Sequence, residues 1–247
     1  MHIFLRSLIF NILLVLATLV LGGLSFPCLF ISRNIAFKVS HLWTMTVLFL
    51  FKSIIGVKIE IIGKEYVPTN AALIASKHQS ALETIFFNIL FNSPVYILKK
   101  ELLWIPIIGS FFKKLGMIAI SRKGTTSLRK LTRRASETLS QGKSLVIFPE
   151  GTRSEPGKTG RYRPGIDIIY SDLQIPVTPV ALNTGLIWPK NSFRKYPGTV
   201  TFHVLPPILP GMDQKTFLPY LKETIESASQ DLLDIQKPYL TRKPSDG

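Results

Sequence analysis

A single cysteine, Cys28, in a chain of 247 residues leaves no intramolecular disulfide to hold the fold together. Four histidines, His2, His41, His78 and His203, are scattered without metal-ligand spacing, so neither a metal nor another cofactor is expected. A G-x-S-x-G nucleophile turn, a G-x-G-x-x-G dinucleotide loop and a Walker lysine loop are all missing, which counts against a serine hydrolase, a dehydrogenase and a P-loop enzyme. Internal repeats and low-complexity tracts are missing too. Acidic side chains are scarce, 15 against 30 Lys and Arg, for a formal net charge of +15. Charged residues nevertheless make up only 18% of the chain and hydrophobic ones 46%, so the cation excess does not belong to a basic disordered tail.

Such an excess implies negatively charged partners. Nucleic acid would use the same charge, but no aromatic-basic RNA motif accompanies it. The first 55 residues favour an anionic membrane surface instead. Residues 7–31 carry no charged side chain, a run of 25 that exceeds the roughly 20 needed to cross a bilayer as a helix. A second apolar stretch, 39–51, has 13 residues and ends at Lys52, which is short for a span and reads as a buried or interfacial helix. Arg6 is the only early Lys or Arg and no A-x-A site follows, so a retained membrane segment is expected rather than a cleaved signal peptide. Cys28, beside Pro27 in this stretch, reads as a packing or lipid contact.

Beyond Gly56 the texture alternates. Strand-like segments fall at 57–63, 71–76, 96–100, 116–121, 144–148, 176–182 and 199–205. Helical segments follow Ser80, include Pro106 and Gly109, and run from a Thr125 or Thr126 cap to a stop at Gly142. In the last of these, Leu128, Leu131, Ala135 and Leu139 form one stripe and Arg129, Lys130, Arg133 and Arg134 lie off it. Residues 213–236 suit a C-terminal helix interrupted near Pro219, and 237–247 a tail. The pattern predicts an α/β fold with a mixed sheet flanked by helices, preceded by an apolar two-helix membrane-associated segment. The expected parts are 1–55, 56–236 and 237–247.

Two short segments propose chemistry. In KHQSALET, His78 offers a neutral imidazole as base, and Glu83 a carboxylate to fix its tautomer. Glu83 also completes an S-x-x-E capping box with Ser80, a structural role of equal standing. Five residues of regular helix would turn the two side chains about 140° apart, so His78 must precede the helix if they are to meet. In FPEGTRS, a buried strand runs into Glu150, Gly151, Thr152 and Arg153, where a core strand would not tolerate charge. A surface salt-bridged turn is the plain reading; a Gly-Thr turn that brings a planar guanidinium to a phosphate is the functional one. Residues 99–163 hold 15 Lys or Arg and four acids, so most of the net charge surrounds these motifs.

KHQSALET resembles the first block of the glycerolipid acyltransferases, and FPEGTRS resembles their third almost residue for residue. GMIAISR at 116–122 is similar to the second block and VTPVALNTG at 177–185 to the fourth, in the family's order. The nearest likeness is to the bacterial 1-acyl-sn-glycerol-3-phosphate acyltransferases. That resemblance implies transfer of an acyl chain from acyl-carrier protein or acyl-CoA to the 2-hydroxyl of lysophosphatidate, at the cytoplasmic side of an inner membrane. It implies His78 as general base and Glu83 as its orienting carboxylate. It also implies a phosphate grip by Arg153 with Lys99 or Lys100 and Arg122, and a Gly151-Thr152 turn organised by Glu150. Many members carry Asp where this chain has Glu83. Related families acylate lyso-ornithine lipid or other lysolipids with the same first block. Outside enzymes, a basic membrane-binding adaptor would need only the apolar segments and the cationic face.

Overall fold

The computed structural model describes residues 2–30, 32–120 and 128–240. Seven strands form one sheet: β1 (Val57–Ile62), β2 (Leu73–Ser76), β3 (Val95–Lys99), β4 (Ile118–Ile120), β5 (Leu145–Ile147), β6 (Val177–Leu182) and β7 (Gly198–Val204). Their order across the sheet is β1-β7-β6-β2-β5-β3-β4. Strands β6, β2, β5, β3 and β4 run parallel; β7 is antiparallel to β6, and β1 parallel to β7. The expected mixed α/β sheet is therefore present.

The central strands read as continuous apolar runs because both faces are covered. On β2 and β5, Leu73, Ala75, Leu145 and Ile147 point to one core, and Ile74 and Val146 to the other, the two-residue period of a strand. The first core is closed by α5 (Leu128–Ser140), α6 (Gly165–Leu173) and α7 (Gln214–Leu240), through Ala135, Ile169, Tyr170, Phe217, Leu221 and Ile225. The second is closed by α3 (Leu82–Leu90) and by the N-terminal helices α1 (Ile3–Leu24) and α2 (Arg33–Leu50). A short helix, α4 (Ile108–Leu115), joins β3 to β4.

Four expectations change. The second apolar helix is longer than its uncharged stretch, because Arg33 opens it behind a Ser32 cap and a π-helical turn (Phe51–Ile55) carries it to Gly56, which has φ +83°. Lys38 and Lys52 sit within this helix, so counting only uncharged residues cut it short; α1 and the extended α2 are both long and apolar enough to cross a membrane by length and composition. The C-terminal helix runs through Pro219 without a break. Pro219 lies near its start, behind Asp213, whose Oδ1 accepts the Thr216 N–H at 2.8 Å, and buried Phe217 and Leu221 hold both sides. That helix also continues past Lys237, and α6 has no counterpart in the segments read from sequence. The Thr125 or Thr126 cap and the Cys28 side chain lie outside the described residues.

Helices α1 and α2 lie along the domain and do not project from it. Near one end of α1, the Ser7 hydroxyl donates to Lys195 O and accepts from Lys195 N, and Asn11 donates to Phe193 O. Near the other end, Gly22 packs on Ile107, where a Cβ would have no room. Arg33 donates to Leu115 O, and Asn88 of α3 donates to Ser40 and Thr44 of α2. Phe10 packs on Phe51 and Trp188 with ring centroids 5.2 and 5.4 Å away. The outward face keeps Ile12, Val15, Leu16, Leu19, Leu42, Met45 and Phe49 exposed.

Deleting residues 1–55 should therefore prevent folding. Phe10, Val47, Phe51 and Ile55 are fully buried, and at about 2 kcal/mol each their loss is on the order of 8 kcal/mol, comparable to the whole stability of a domain. Circular dichroism and gel filtration of the truncated chain should report an unfolded or aggregated product.

A second prediction concerns the Lys195 seat, where the ammonium donates to Ser192 O and Phe193 O and lies over Trp188. Burial pushes this lysine down to about 8 from an ordinary 10.5. The unfolded chain then binds more protons than the folded one across that window, so stability rises with pH there and the gain is lost as pH falls through the folded value. Thermal unfolding should show the wild type gaining on Lys195→Met as pH climbs from about 8 toward 10.5.

Candidate active site

Five parallel strands end at one edge of the sheet, and the loops that follow carry the motif residues. This is the edge at which parallel α/β sheets place ligands. His78 follows β2, Glu150 follows β5, Lys99 ends β3, and Asn183 and Thr184 follow β6.

His78 stands before α3, and Glu83 lies in that helix's first turn with its side chain fully buried. His78 Nδ1 is 2.8 Å from Glu83 Oε1. The same oxygen accepts the backbone N–H groups of Gln79 at 2.8 Å and Ser80 at 2.7 Å, and Oε2 accepts the Thr184 hydroxyl at 2.8 Å. The Ser80 hydroxyl accepts the Leu82 N–H. Capping and histidine orientation are thus performed together by one carboxylate, and the choice between them falls away. The extra methylene of Glu relative to Asp is accommodated because the carboxylate reaches back across the helix start. The amides of residues 79 and 80, natural candidates for oxyanion donors at a helix start, are occupied by Glu83.

The His78 ring stacks on Phe148, with centroids 4.0 Å apart and planes 17° from parallel. Phe148 lies in a stack with Phe87 and Tyr96. Carboxylate and stack together leave the imidazole little rotational freedom, and its side chain is 17% exposed. Burial pushes the Tyr96 hydroxyl well above its usual range, with Glu83 adding to the effect, so it stays a phenol and donates to Thr84 O.

The FPEGTRS segment bends immediately after β5. Gly151 adopts φ +66°, and its N–H donates to Phe148 O. Ser154 N donates to His78 O at 2.8 Å, which puts Arg153, one residue earlier and half-buried, beside the histidine loop. Gly151 and Thr152 are exposed. Glu150 points the other way: its side chain is 1% exposed, with Oε1 3.1 Å from Lys77 Nζ and Oε2 accepting Gly160 N at 2.9 Å. It holds the turn from inside and does not face solvent with Gly151 and Thr152. Lys99 and Lys100 are exposed at the end of β3, two strand spacings or about 10 Å from β2. Arg122 lies outside the described residues.

Several neighbours were not among the expected site residues, although Gln79, Thr184 and Gly185 lie inside the quoted motifs and only Lys190 lies outside them. Thr184 reaches Glu83 from the β6 loop. The exposed ammonium of Lys190 donates to Arg153 O at 2.8 Å and adds a cation there. Gln79 Oε1 accepts Gly185 N, and a Cβ at Gly185 would come 2.9 Å from Pro156, so the first and fourth blocks pack directly on one another and on the chain just past the third.

This arrangement is an imidazole held by a carboxylate beside a cationic loop. The model of the acyltransferase family matches residues 58–183, which contain the first three of these loops and the start of the fourth. The chain belongs to the acyltransferase family. It is similar to the 1-acyl-sn-glycerol-3-phosphate acyltransferase of Pseudomonas aeruginosa, 36% identical over 199 residues that cover 79% of this chain and 77% of that one. It is also similar to the enzyme of the same name from Helicobacter pylori, 33% identical over 179 residues that cover 71% and 75%. In fold it resembles the crystal structure of the 1-acyl-sn-glycerophosphate acyltransferase of Thermotoga maritima, with a TM-score of 0.75, 21% identity, and coverage of 92% and 97%. As a member of this family the chain is a transferase of the EC 2.3.1 class.

Substitutions at Glu83 should separate shape from charge. Glu83→Gln keeps an acceptor for the amides of residues 79 and 80 and a donor for Thr184, so stability should change by about 1 kcal/mol or less. Glu83→Ala strands buried donors at about 1–3 kcal/mol each and should cost on the order of 3 kcal/mol or more. Chemical denaturation of the two variants measures the difference.

Proposed function

We propose that this acyltransferase moves an acyl chain from a thioester, carried by acyl-carrier protein or CoA, to the 2-hydroxyl of lysophosphatidate, yielding phosphatidate. The observation that carries the reading is the 2.8 Å His78–Glu83 contact beside the loop that bears Arg153. Glu83 engages Nδ1, so the neutral ring carries its proton there and offers Nε2 as base.

The acceptor hydroxyl gives its proton to Nε2 as its oxygen bonds to the thioester carbonyl carbon. The tetrahedral intermediate then expels the thiolate, which takes the proton back from the imidazolium and leaves as thiol. No acyl-enzyme forms, and the positive charge on the ring between the two transfers is balanced by buried Glu83. The guanidinium of Arg153 holds the acceptor phosphate, with Lys190 beside it and Lys99, Lys100 and Arg122 as further cations. Glu150, Gly151 and Thr152 shape the turn that carries Arg153.

The same reading places the protein on the cytoplasmic face of an inner membrane. Helices fastened to the domain near both ends lie in the plane of one leaflet with their apolar outer face in lipid, an interfacial association that the basic surface strengthens on anionic membranes.

The test is an assay of purified protein with a panel of lysolipids and acyl thioesters. His78→Ala should lower turnover about 100-fold or more while membrane association persists. Retention of a tenth of wild-type turnover would remove His78 as the base. Arg153→Lys keeps the charge but loses the bidentate fork, so the KM for lysophosphatidate should rise with little change for the donor.

A further inference from the structure

Beneath the Arg153 loop lies a cluster of ionised groups that takes no part in the reaction as drawn. Lys77, adjacent to His78, has its ammonium 1% exposed. It donates to both carboxylate oxygens of Glu226 at 2.8 Å, to Lys158 O at 3.0 Å, and lies 3.1 Å from Glu150 Oε1. Glu226 belongs to α7, outside the residues matched to the family, and accepts the hydroxyls of Thr159 and Tyr162 at 3.0 Å each. Burial and the Glu226 carboxylate push the Tyr162 hydroxyl far up, so it remains a donor.

These bonds converge on one piece of chain. Residues 148–164 join β5 to α6 without a named helix or strand. A segment of that length has no ladder to fix its course, and such loops hold a shape only through tertiary contacts. Glu150 binds it at Ser154 and Gly160, Lys77 at Lys158, and Glu226 at Thr159 and Tyr162. A Cβ at Gly160 would come 2.6 Å from Glu150 Oε2, so the carboxylate and the loop are closely fitted. An ammonium shared by two carboxylates cannot follow one without leaving the other, and a buried charge that loses its partner is strongly disfavoured.

We propose that Glu226 is a positioning residue: with Lys77 it clamps this loop through Glu150 and thereby sets where Arg153 stands relative to His78. The inference rests on the reading of Arg153 as the phosphate ligand. It assigns acceptor recognition partly to α7, some seventy residues beyond the FPEGTRS segment.

The experiment measures acceptor and donor KM and kcat for wild type, Glu226→Ala, Glu226→Gln, Arg153→Lys, and the double variant Glu226→Gln with Arg153→Lys, alongside their melting temperatures. Glu226→Ala should raise the lysophosphatidate KM about tenfold, while donor KM and the pH profile of kcat stay in place. Glu226→Gln, which keeps only one of the two oxygens that accept from Lys77, should raise it about threefold, and no rise in that variant would overturn the proposal. The double variant should match Arg153→Lys within about twofold, because a residue that acts through another adds nothing once the other is lost. Multiplying effects in the double variant, or a fall in kcat with both KM values unchanged, would overturn the positioning role. So would unchanged acceptor KM in both Glu226 variants beside a raised KM in Arg153→Lys, and that result leaves the phosphate reading standing. An unchanged acceptor KM in Arg153→Lys would overturn both. Should Glu226→Ala fail to fold, the Gln variant and the double variant decide the matter.

Discussion

The geometry of the site depends on one carboxylate. Glu83 Oε1 accepts from His78 and from the amides of Gln79 and Ser80, while Oε2 accepts from Thr184 on the opposite loop. A fully buried anion is tolerable only when its lone pairs are satisfied, and here every donor comes from a segment that needs to be fixed. The helix start, the histidine and the β6 loop are therefore mutually constrained. Glutamate suits this better than a shorter acid would in the same frame, since the reach back past Ser80 is what brings Oε1 to both amides and the imidazole.

The charge pattern has the same origin. Among the described residues, cations gather at the ends of parallel strands because loops from β2, β5, β3 and β6 meet there. Acids are few, and the three buried or half-buried ones at this edge serve internal contacts. Glu83 orients His78, and Glu150 and Glu226 share Lys77. The loop backbone, tethered by these acids, can then present Arg153 and Lys190 outward, while the exposed acid of the same loop, Glu155, pairs with Lys158. On the proposed reading of Arg153, a surface salt bridge there would neutralise the group that an anionic acceptor requires.

Much of this was legible in the sequence. The apolar alternation located all seven strands, and the need for His78 to precede the helix followed from helical geometry alone. The failures have physical causes. A helix boundary set by charge misses Arg33, because its guanidinium is satisfied by Leu115 O, a partner 82 residues away. A proline near the start of α7 does not break it, because Phe217 and Leu221 are already committed to the core. Glu226 carried no signal at all: an acid on a mostly polar helix looks like solvated surface until α7 is laid against the loop after β5. Lys77 was visible in KHQSALET but unreadable, since an ammonium reveals its burial only when its two carboxylates are assembled around it.

The apolar N-terminus adds a last constraint, which runs from the proposed lipid-facing surface to the chemistry. Asn88 of α3 donates to Ser40 and Thr44 of α2, and Glu83 lies five residues earlier on the same nine-residue helix. At about 1.5 Å per residue, the polar latch to α2 is only some 7–8 Å along the axis from the carboxylate that holds His78. Phe86 and Phe87 between them pack against Phe202, so α3 is wedged between the sheet and α2. A shift of α2 therefore has to be taken up by α3 as a body, because close-packed side chains on both sides leave no room for it to bend. The apolar N-terminal segment is in this sense part of the frame of the site, since the element that rests against α2 is the one whose first turn holds His78.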